Sequence, residues 1–264
     1  MQETKKIIPK HCSHPICHCA DGVDTIDCWA FLNERFKECP HTKCECYKKN
    51  KRMKKIMFND KYCLTQAVLE GTKTMTRRKF TLTLDKRVDG KLIRVYPSKV
   101  FFDNGKWLFD YDGRIYNLPK ENYPRYGVGE VVAIAQSYKE LYSPDDVRVK
   151  FNPFFDMTES AGWNNKLFVE SQYMKHHIRI TDVKVERLRD ISEEDVLREG
   201  VRYYLASDKR WYNDSGYGYH IPKNGLHLFD APYKAFANLF ERISGKGTWE
   251  SNPFVVAYSF ELVD

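Results

Sequence analysis

Apolar positions recur with helical spacing in a few stretches of the chain and with strand spacing in most of the others. In YCLTQAVLEG (62–71) the apolar positions 64, 67, 68 and 69 share one helical face and a glycine follows, which predicts an amphipathic helix ended at Gly71. ISEEDVLREGV (191–201) predicts a second helix, with Ser192 as N-cap and Asp195 three residues on, a variant of the capping box. APYKAFANLFERISG (231–245) predicts the longest amphipathic helix. KIMFNDK (55–61) reads as a short strand, KTMTRRKFTLTL (73–84) alternates, and HHIRITDVKVERL (176–188) and FVVAYSFELVD (254–264) read as long strands. Between 90 and 119, Asn-Gly and Asp-Gly steps separate aromatic-rich runs, a hairpin signal. YGVGEVVAIAQSY (126–138) predicts a loop leading into a buried strand.

Strands outnumber helices and do not alternate with them, so the expected class is α+β: a mixed, barrel-like sheet with flanking helices. The regions 139–168, polar and irregular, and 202–228, rich in Tyr, Gly and Asn, read as insertions.

Composition changes this picture at one end only. With 42% hydrophobic residues and 14% aromatic ones the chain has enough for a core. No apolar run approaches the roughly 18 residues of a membrane span, and MQETKKIIPKHCSHP has no apolar signal region, so a soluble cytoplasmic protein is expected. The net charge is +7, of which residues 1–55 carry +5. That excess culminates in KKNKRMKK (48–55), either a contact for phosphates or a solvated linker.

Seven of the eight cysteines lie between positions 12 and 46, six of them in two copies of C-x-H-x-x-C-x-C. CSHPICHC supplies Cys12, His14, Cys17 and Cys19; CPHTKCEC supplies Cys39, His41, Cys44 and Cys46. Three thiolates and an imidazole per copy make the ligand set of a structural zinc site, and in so short a segment the metal would supply folding free energy. Pairing within each copy and interleaving between the copies both remain open, and Cys28 is a further potential ligand. Disulfides are disfavoured in a cytosolic chain. Residues 1–52 are thus expected to form a Cys/His zinc-binding module with a basic linker, and 53–264 a second domain.

In the second domain one stretch concentrates hydroxyls and cations where a helix ends: EGTKTMTRRKF (70–80). Gly71-x-Lys73-x-x-Thr76-x-Arg78 resembles the signature of ASCH domains, a PUA-like β-barrel superfamily tied to RNA. VGEVVAI, RDISEEDVLREGV and the strand after SNP follow in that family's order. The resemblance covers about 53–264, with insertions at about 85–120, 139–168 and 202–228, and extends to phage and Bacteroides-type members. It implies a PUA-like barrel. Among the family's small bacterial members are amidohydrolases acting on N4-acetylcytidine, in which a lysine and a threonine three apart in this motif act with a glutamate of the later helix. Carried over, the catalytic set is Lys73, Thr76 and Glu199, with no catalytic cofactor. Many other members have Glu where this chain has Thr76, which leans toward the hydrolases.

A threonine hydroxyl needs a base to take its proton, and a lysine serves as one if burial among cations such as Arg77 and Arg78 lowers its pKa. In a regular strand, positions 73 and 76 face opposite sides, so both line one pocket only if Lys73 still belongs to the turn after Gly71. Gly71, Arg77 and Arg78 are expected at the substrate, together with Trp249 as a stacking surface and Asn252 as a base-edge amide. Trp163 and Asn165 are weaker rim candidates. The bland alternative leaves Lys73, Arg77 and Arg78 gripping phosphates or the carboxylates of Glu70 and Glu130. The expected partner is RNA or a modified nucleoside, bound with or without turnover.

Overall fold

A computed structural model describes residues 53–88, 91–142, 157–206, 215–222 and 225–263. The chain divides into two compact units, Met1–Met53 and Lys54–Asp264. The eight Cys/His zinc ligands expected above, and Cys28, lie outside the described residues.

The second unit is built on a five-stranded sheet whose members come from across the chain: β1 (Lys55–Ile56), β8 (Val131–Ile134), β9 (His177–Arg187), β13 (Phe254–Leu262) and β2 (Met75–Lys79), in that spatial order. β1 pairs parallel to β8, and the other neighbours are antiparallel. β8 is a continuous apolar run because both of its faces are covered; Val132, Ala133 and Ile134 are fully buried. One face of the sheet packs Ile56, Ile134, Ile178, Ile180, Val256 and Tyr258 into the main core.

The closed ring of a PUA-like barrel is not formed by strand ladders among the described residues: the order leaves β1 and β2 as the two edges. The reason is local. The strand expected over 55–61 stops after Ile56, because Asn59 caps a 3₁₀ turn at Asp60–Tyr62, its side chain accepting from the Lys61 amide. In place of a ladder, the Arg78 guanidinium of β2 donates to the Met57 carbonyl and lies 5.9 Å from the centre of the Phe58 ring.

Helix α1 (Leu64–Leu69) occupies the first predicted helical stretch; Gly71 follows its cap residue Glu70 with φ +71. The region 85–120 contains the predicted hairpins. β3 (Leu84–Val88) pairs with β4 (Lys91–Val95), and β5 (Lys99–Asp103), β6 (Lys106–Tyr111) and β7 (Arg114–Asn117) form a meander turning at Asn104-Gly105 and Asp112-Gly113. It carries a small core of its own around Val100, Trp107 and Phe109. Of the region 139–168, the described part includes the short helix α2 (Tyr138–Leu141). Within 202–228, which the sequence reads as a loop-like insertion, the chain forms a three-stranded antiparallel sheet: β10 (Arg202–Tyr204), β11 (Gly216–Ile221) and β12 (Gly225–Phe229).

Helix α3 (Glu193–Arg198) starts at Ser192, whose hydroxyl accepts the Asp195 amide at 3.2 Å, as the sequence predicts. Helix α4 (Pro232–Ser244) opens with proline at its first turn, where no backbone donor is needed. Its residues Ala235, Phe236 and Phe240 pack with Val196 and Val201, at and just after α3, in a third core cluster. A short helix α5 (Thr248–Ser251) leads into β13.

Candidate functional site

The end of α1 determines where the lysine goes. The amides of Thr72 and Lys73 both donate to the Ala67 carbonyl at 2.9 Å, wrapping the chain tightly after the helix. Thr74 is then held from two sides: its amide donates to the Arg198 carbonyl and its carbonyl accepts the Phe260 amide, each at 2.9 Å. β2 begins only at Met75, so Lys73 belongs to the turn, as the sequence argument requires.

These bonds set Lys73 against the C-terminus of α3. Its ammonium donates to Glu199 Oε2 at 2.6 Å and to the Glu199 carbonyl at 2.7 Å. Both residues are buried, Lys73 at 2% exposure and Glu199 at 4%. Glu199 is the cap residue of α3, and Gly200 after it has φ +99, where any side chain would be strained; a Cβ there would also lie 3.5 Å from Lys73 Cβ. Burial pushes the Lys73 amine below its ordinary value, and the attraction and hydrogen bond of Glu199 oppose that only in part, while Arg78 and Arg77 add to the lowering.

Arg77 points into a cage of carboxylates. Its Nη2 lies 2.6 Å from Glu186 Oε1 and 2.7 Å from Asp195 Oδ2, and its Nη1 reaches Glu199 Oε1 at 3.3 Å. Burial alone would make this guanidinium easier to deprotonate, but the carboxylates outweigh it and hold the proton more firmly. Lys184 of β9 joins at 2.6 Å from Asp195 Oδ2. Arg77 therefore ties β2, β9 and α3 together through its ion pairs, and it also borders the cavity described below. A buried charge of this kind is tolerated only because every neighbour compensates it.

Thr76 and Arg78 project from the opposite face of β2, paired in register with Tyr258 and Val256 of β13. Thr76 is buried, and among the described residues its hydroxyl has no hydrogen-bond partner. Arg78 makes no ion pair among the described residues, and its Nε is buried without an acceptor. Burial makes this guanidinium easier to deprotonate than usual.

Of these groups, Lys73, Thr76, Arg77, Arg78 and Glu199 border one cavity of about 210 Å³, partly open to solvent. Its polar side carries Lys73, Thr76, Arg77, Arg78, Lys79 and Glu199; the other side is the apolar face of α4 together with Met57, Phe58 and Leu64. Residues from both faces of β2 reach the same space because β2 is an edge strand, so the cavity runs along its open side.

Other expected contacts are elsewhere. Trp249 packs edge-on against Phe236, with ring centres 6.2 Å apart, and does not border the cavity. Asn252, left-handed at φ 43, accepts the Arg189 amide at 2.8 Å through its side chain and braces the entry to β13. Gly71 is exposed in the turn and shapes the cavity only through Lys73. Trp163 and Asn165 do not border it, and their loop is tied to β1 by Lys55, which donates to the carbonyls of Lys166, Leu167 and Val169. The carboxylates suggested as bland partners are taken: Glu70 by Arg202 and Glu130 by Lys54. The sequence reading missed Asp195 and Glu186 as members of the charge cluster. The acidic first turn of α3 and the charged alternation of β9 are the only local signals of them. Among the described residues no group of three or more His, Cys, Asp or Glu side chains is placed to hold a metal ion, and no helix is long and apolar enough to cross a membrane.

No protein-family model, no curated protein and no solved structure matches the chain.

Proposed function

We propose that the second unit is an ASCH-type, PUA-like domain that hydrolyses an N-acyl amide on cytosine, as a free or RNA-borne nucleoside. One observation carries the reading: Lys73, Thr76 and Glu199, distant in the chain, border the same cavity, with the amine on the carboxylate at 2.6 Å.

The chemistry follows from the environments. Thr76 Oγ1, which has no hydrogen-bond partner among the described residues and borders the cavity, attacks the amide carbon. Its proton passes to the Lys73 amine, whose lowered pKa makes the neutral form accessible. Glu199 takes up the proton that Lys73 must first release, across the 2.6 Å hydrogen bond. The developing oxyanion is stabilised by Arg78, the guanidinium without a carboxylate of its own. Collapse breaks the C–N bond; the leaving amine takes a proton from Lys73, and water then hydrolyses the threonine ester to a free carboxylate. No cofactor enters. In the first unit, Cys12, His14, Cys17, Cys19, Cys39, His41, Cys44 and Cys46 hold structural zinc in this reading.

The test is turnover of N4-acylcytidines by the purified full chain, followed by release of cytidine. Lys73→Ala and Thr76→Ala are each expected to lower kcat/KM by about 10²–10⁴-fold, and full activity in either variant would overturn the assignment. The rival, a module that grips RNA without turnover, draws on the basic excess of residues 1–55. Lys54 and Lys55, however, are engaged within the second unit, by Glu130 and by the carbonyls of Lys166, Leu167 and Val169. A steep salt dependence of RNA affinity with no product would favour it.

A further inference from the structure

Glu199 divides its carboxylate between two cations. Oε2 takes the Lys73 ammonium at 2.6 Å, and Oε1 faces Arg77 Nη1 at 3.3 Å. The other two nitrogens of Arg77 fix it there. Nε donates to Glu186 Oε1 at 2.8 Å, and Nη2 lies 2.6 Å from the same oxygen and 2.7 Å from Asp195 Oδ2. A planar fork held at all three corners orients its partners as well as charging them; a lysine carries the charge without the fork. The row of alternating charges continues outward. Lys184 of β9, its side chain 41% exposed, lies 2.6 Å from Asp195 Oδ2 and 3.3 Å from Glu186 Oε2. It competes with Arg77 for both carboxylates.

We propose that Arg77 is a positioning residue: it turns Glu199 so that Oε2 meets Lys73, withholds part of that carboxylate's charge from the ammonium, and so makes the charge state of Lys73 depend on Glu186 and Lys184. Neither of those two side chains borders the cavity. The coupling is a competition among counterions in a buried site, where a charge is felt beyond contact. The more fully Glu186 and Asp195 neutralise Arg77, the more of Glu199 is left to Lys73, and the more firmly the lysine keeps its proton. Deprived of a carboxylate, Arg77 draws harder on Glu199, and Lys73 releases its proton at lower pH. Burial is the main cause that lowers the Lys73 amine, and Arg78 and Arg77 push the same way. The remaining charged groups around the cluster are Arg198, paired with Asp195, and Lys79 of β2. α4 and the segment 57–64 border the cavity only through residues that do not titrate. The proposal rests on the hydrolase reading for its consequence alone, since a base must be neutral to accept the Thr76 proton.

The test is a pH titration of the Lys73 amine by NMR in the full chain carrying isotope-labelled lysine, its signal identified by its loss in Lys73→Ala. Glu186→Gln is expected to lower the midpoint and Lys184→Gln to raise it, each by about 0.3 pH unit or more. Arg77→Gln is expected to raise it by about one unit, and Arg77→Lys, which restores the charge, to bring it most of the way back. The acid limb of kcat/KM for N4-acetylcytidine is expected to move with these midpoints, by about twofold in rate at a fixed pH for 0.3 unit. A purely structural role would lower the melting temperature and leave the midpoint in place. Where Arg77→Gln does not fold, the two changes on β9 decide, both being at half-buried positions of one strand. Shifts of the same sign in Glu186→Gln and Lys184→Gln, or no shift in either, overturn the proposal even where N4-acetylcytidine is cleaved. Opposite shifts with no amide cleaved sustain it and overturn the hydrolase reading instead.

Discussion

Lys73 is a cation with almost no water around it, and its state depends on a single carboxylate. At 2.6 Å in a buried site, the Glu199 oxygen supplies most of what solvent would. Removing it leaves an ammonium with only the Glu199 carbonyl as acceptor. Glu199→Ala is expected to destabilise the second unit by about 3–5 kcal/mol, read from the denaturant midpoint, whereas Glu199→Gln, which keeps an acceptor, costs less. A loss below about 1 kcal/mol for Glu199→Ala would mean that the lysine finds water, and that the cavity is wetter than its burial implies. The sequence alone leaves Glu199 an ordinary charged residue at a helix end; it enters the site through the register of a motif. In the structure Gly200, at φ +99, follows Glu199 directly, and the Glu199 side chain meets Lys73. Adjacent arginines at 77 and 78 are indistinguishable in composition; strand alternation and the position of α3 give Arg77 a cage of carboxylates and leave Arg78 without one, although both border the cavity.

At the scale of elements, α3 is attached to the sheet by charge as much as by packing. Asp195, in its first turn, faces Arg77 of β2 and Lys184 of β9. Burial pushes its carboxyl up, but the hydrogen bonds from Lys184 and Arg77 outweigh burial and hold it below its ordinary value of 3.8. A carboxyl with a lowered folded-state pKa stabilises the fold fully above its unfolded value and loses that contribution as pH falls through its folded one. Stability is therefore expected to drop as pH falls below about 3.8, and Asp195→Asn is expected to flatten that acid limb while costing about 1–3 kcal/mol at pH 7. An unchanged acid limb would show that other carboxyls govern it. Most elements were legible because their periodicity is strong: α4, β9, β13 and the Asn-Gly and Asp-Gly hairpins lie where the pattern places them. The sheet β10–β11–β12 was not. Its glycines resemble loop residues, yet they are there because β12 comes too close for a side chain: a Cβ at Gly218 would lie 2.0 Å from the His227 carbonyl oxygen.

At the scale of the whole molecule, the chain divides into two compact units. Lys54–Asp264 has three large apolar clusters. Residues 1–53 are short and rich in Cys and His, so their folding is expected to depend on zinc. Metal analysis is expected to find two zinc ions per chain, and a chelator to unfold the first unit while the thermal transition of the second is unchanged. Zinc-free protein with a protease-resistant N-terminal unit would refute the metal assignment.

What the sequence determined by itself is what short-range physics encodes: which segments are helices and strands, the cysteine repeat, and the turn that delivers Lys73 at the end of α1. Tertiary structure alone decided that Glu199 and Thr76 share a cavity with that lysine, that Arg77 is locked while Arg78 is not, and that Trp249 and Asn252 serve the scaffold. Each of these depends on which strand lies at the sheet edge and which helix covers it. Those are long-range pairings, selected by burial of whole faces, and no local pattern of residues carries them.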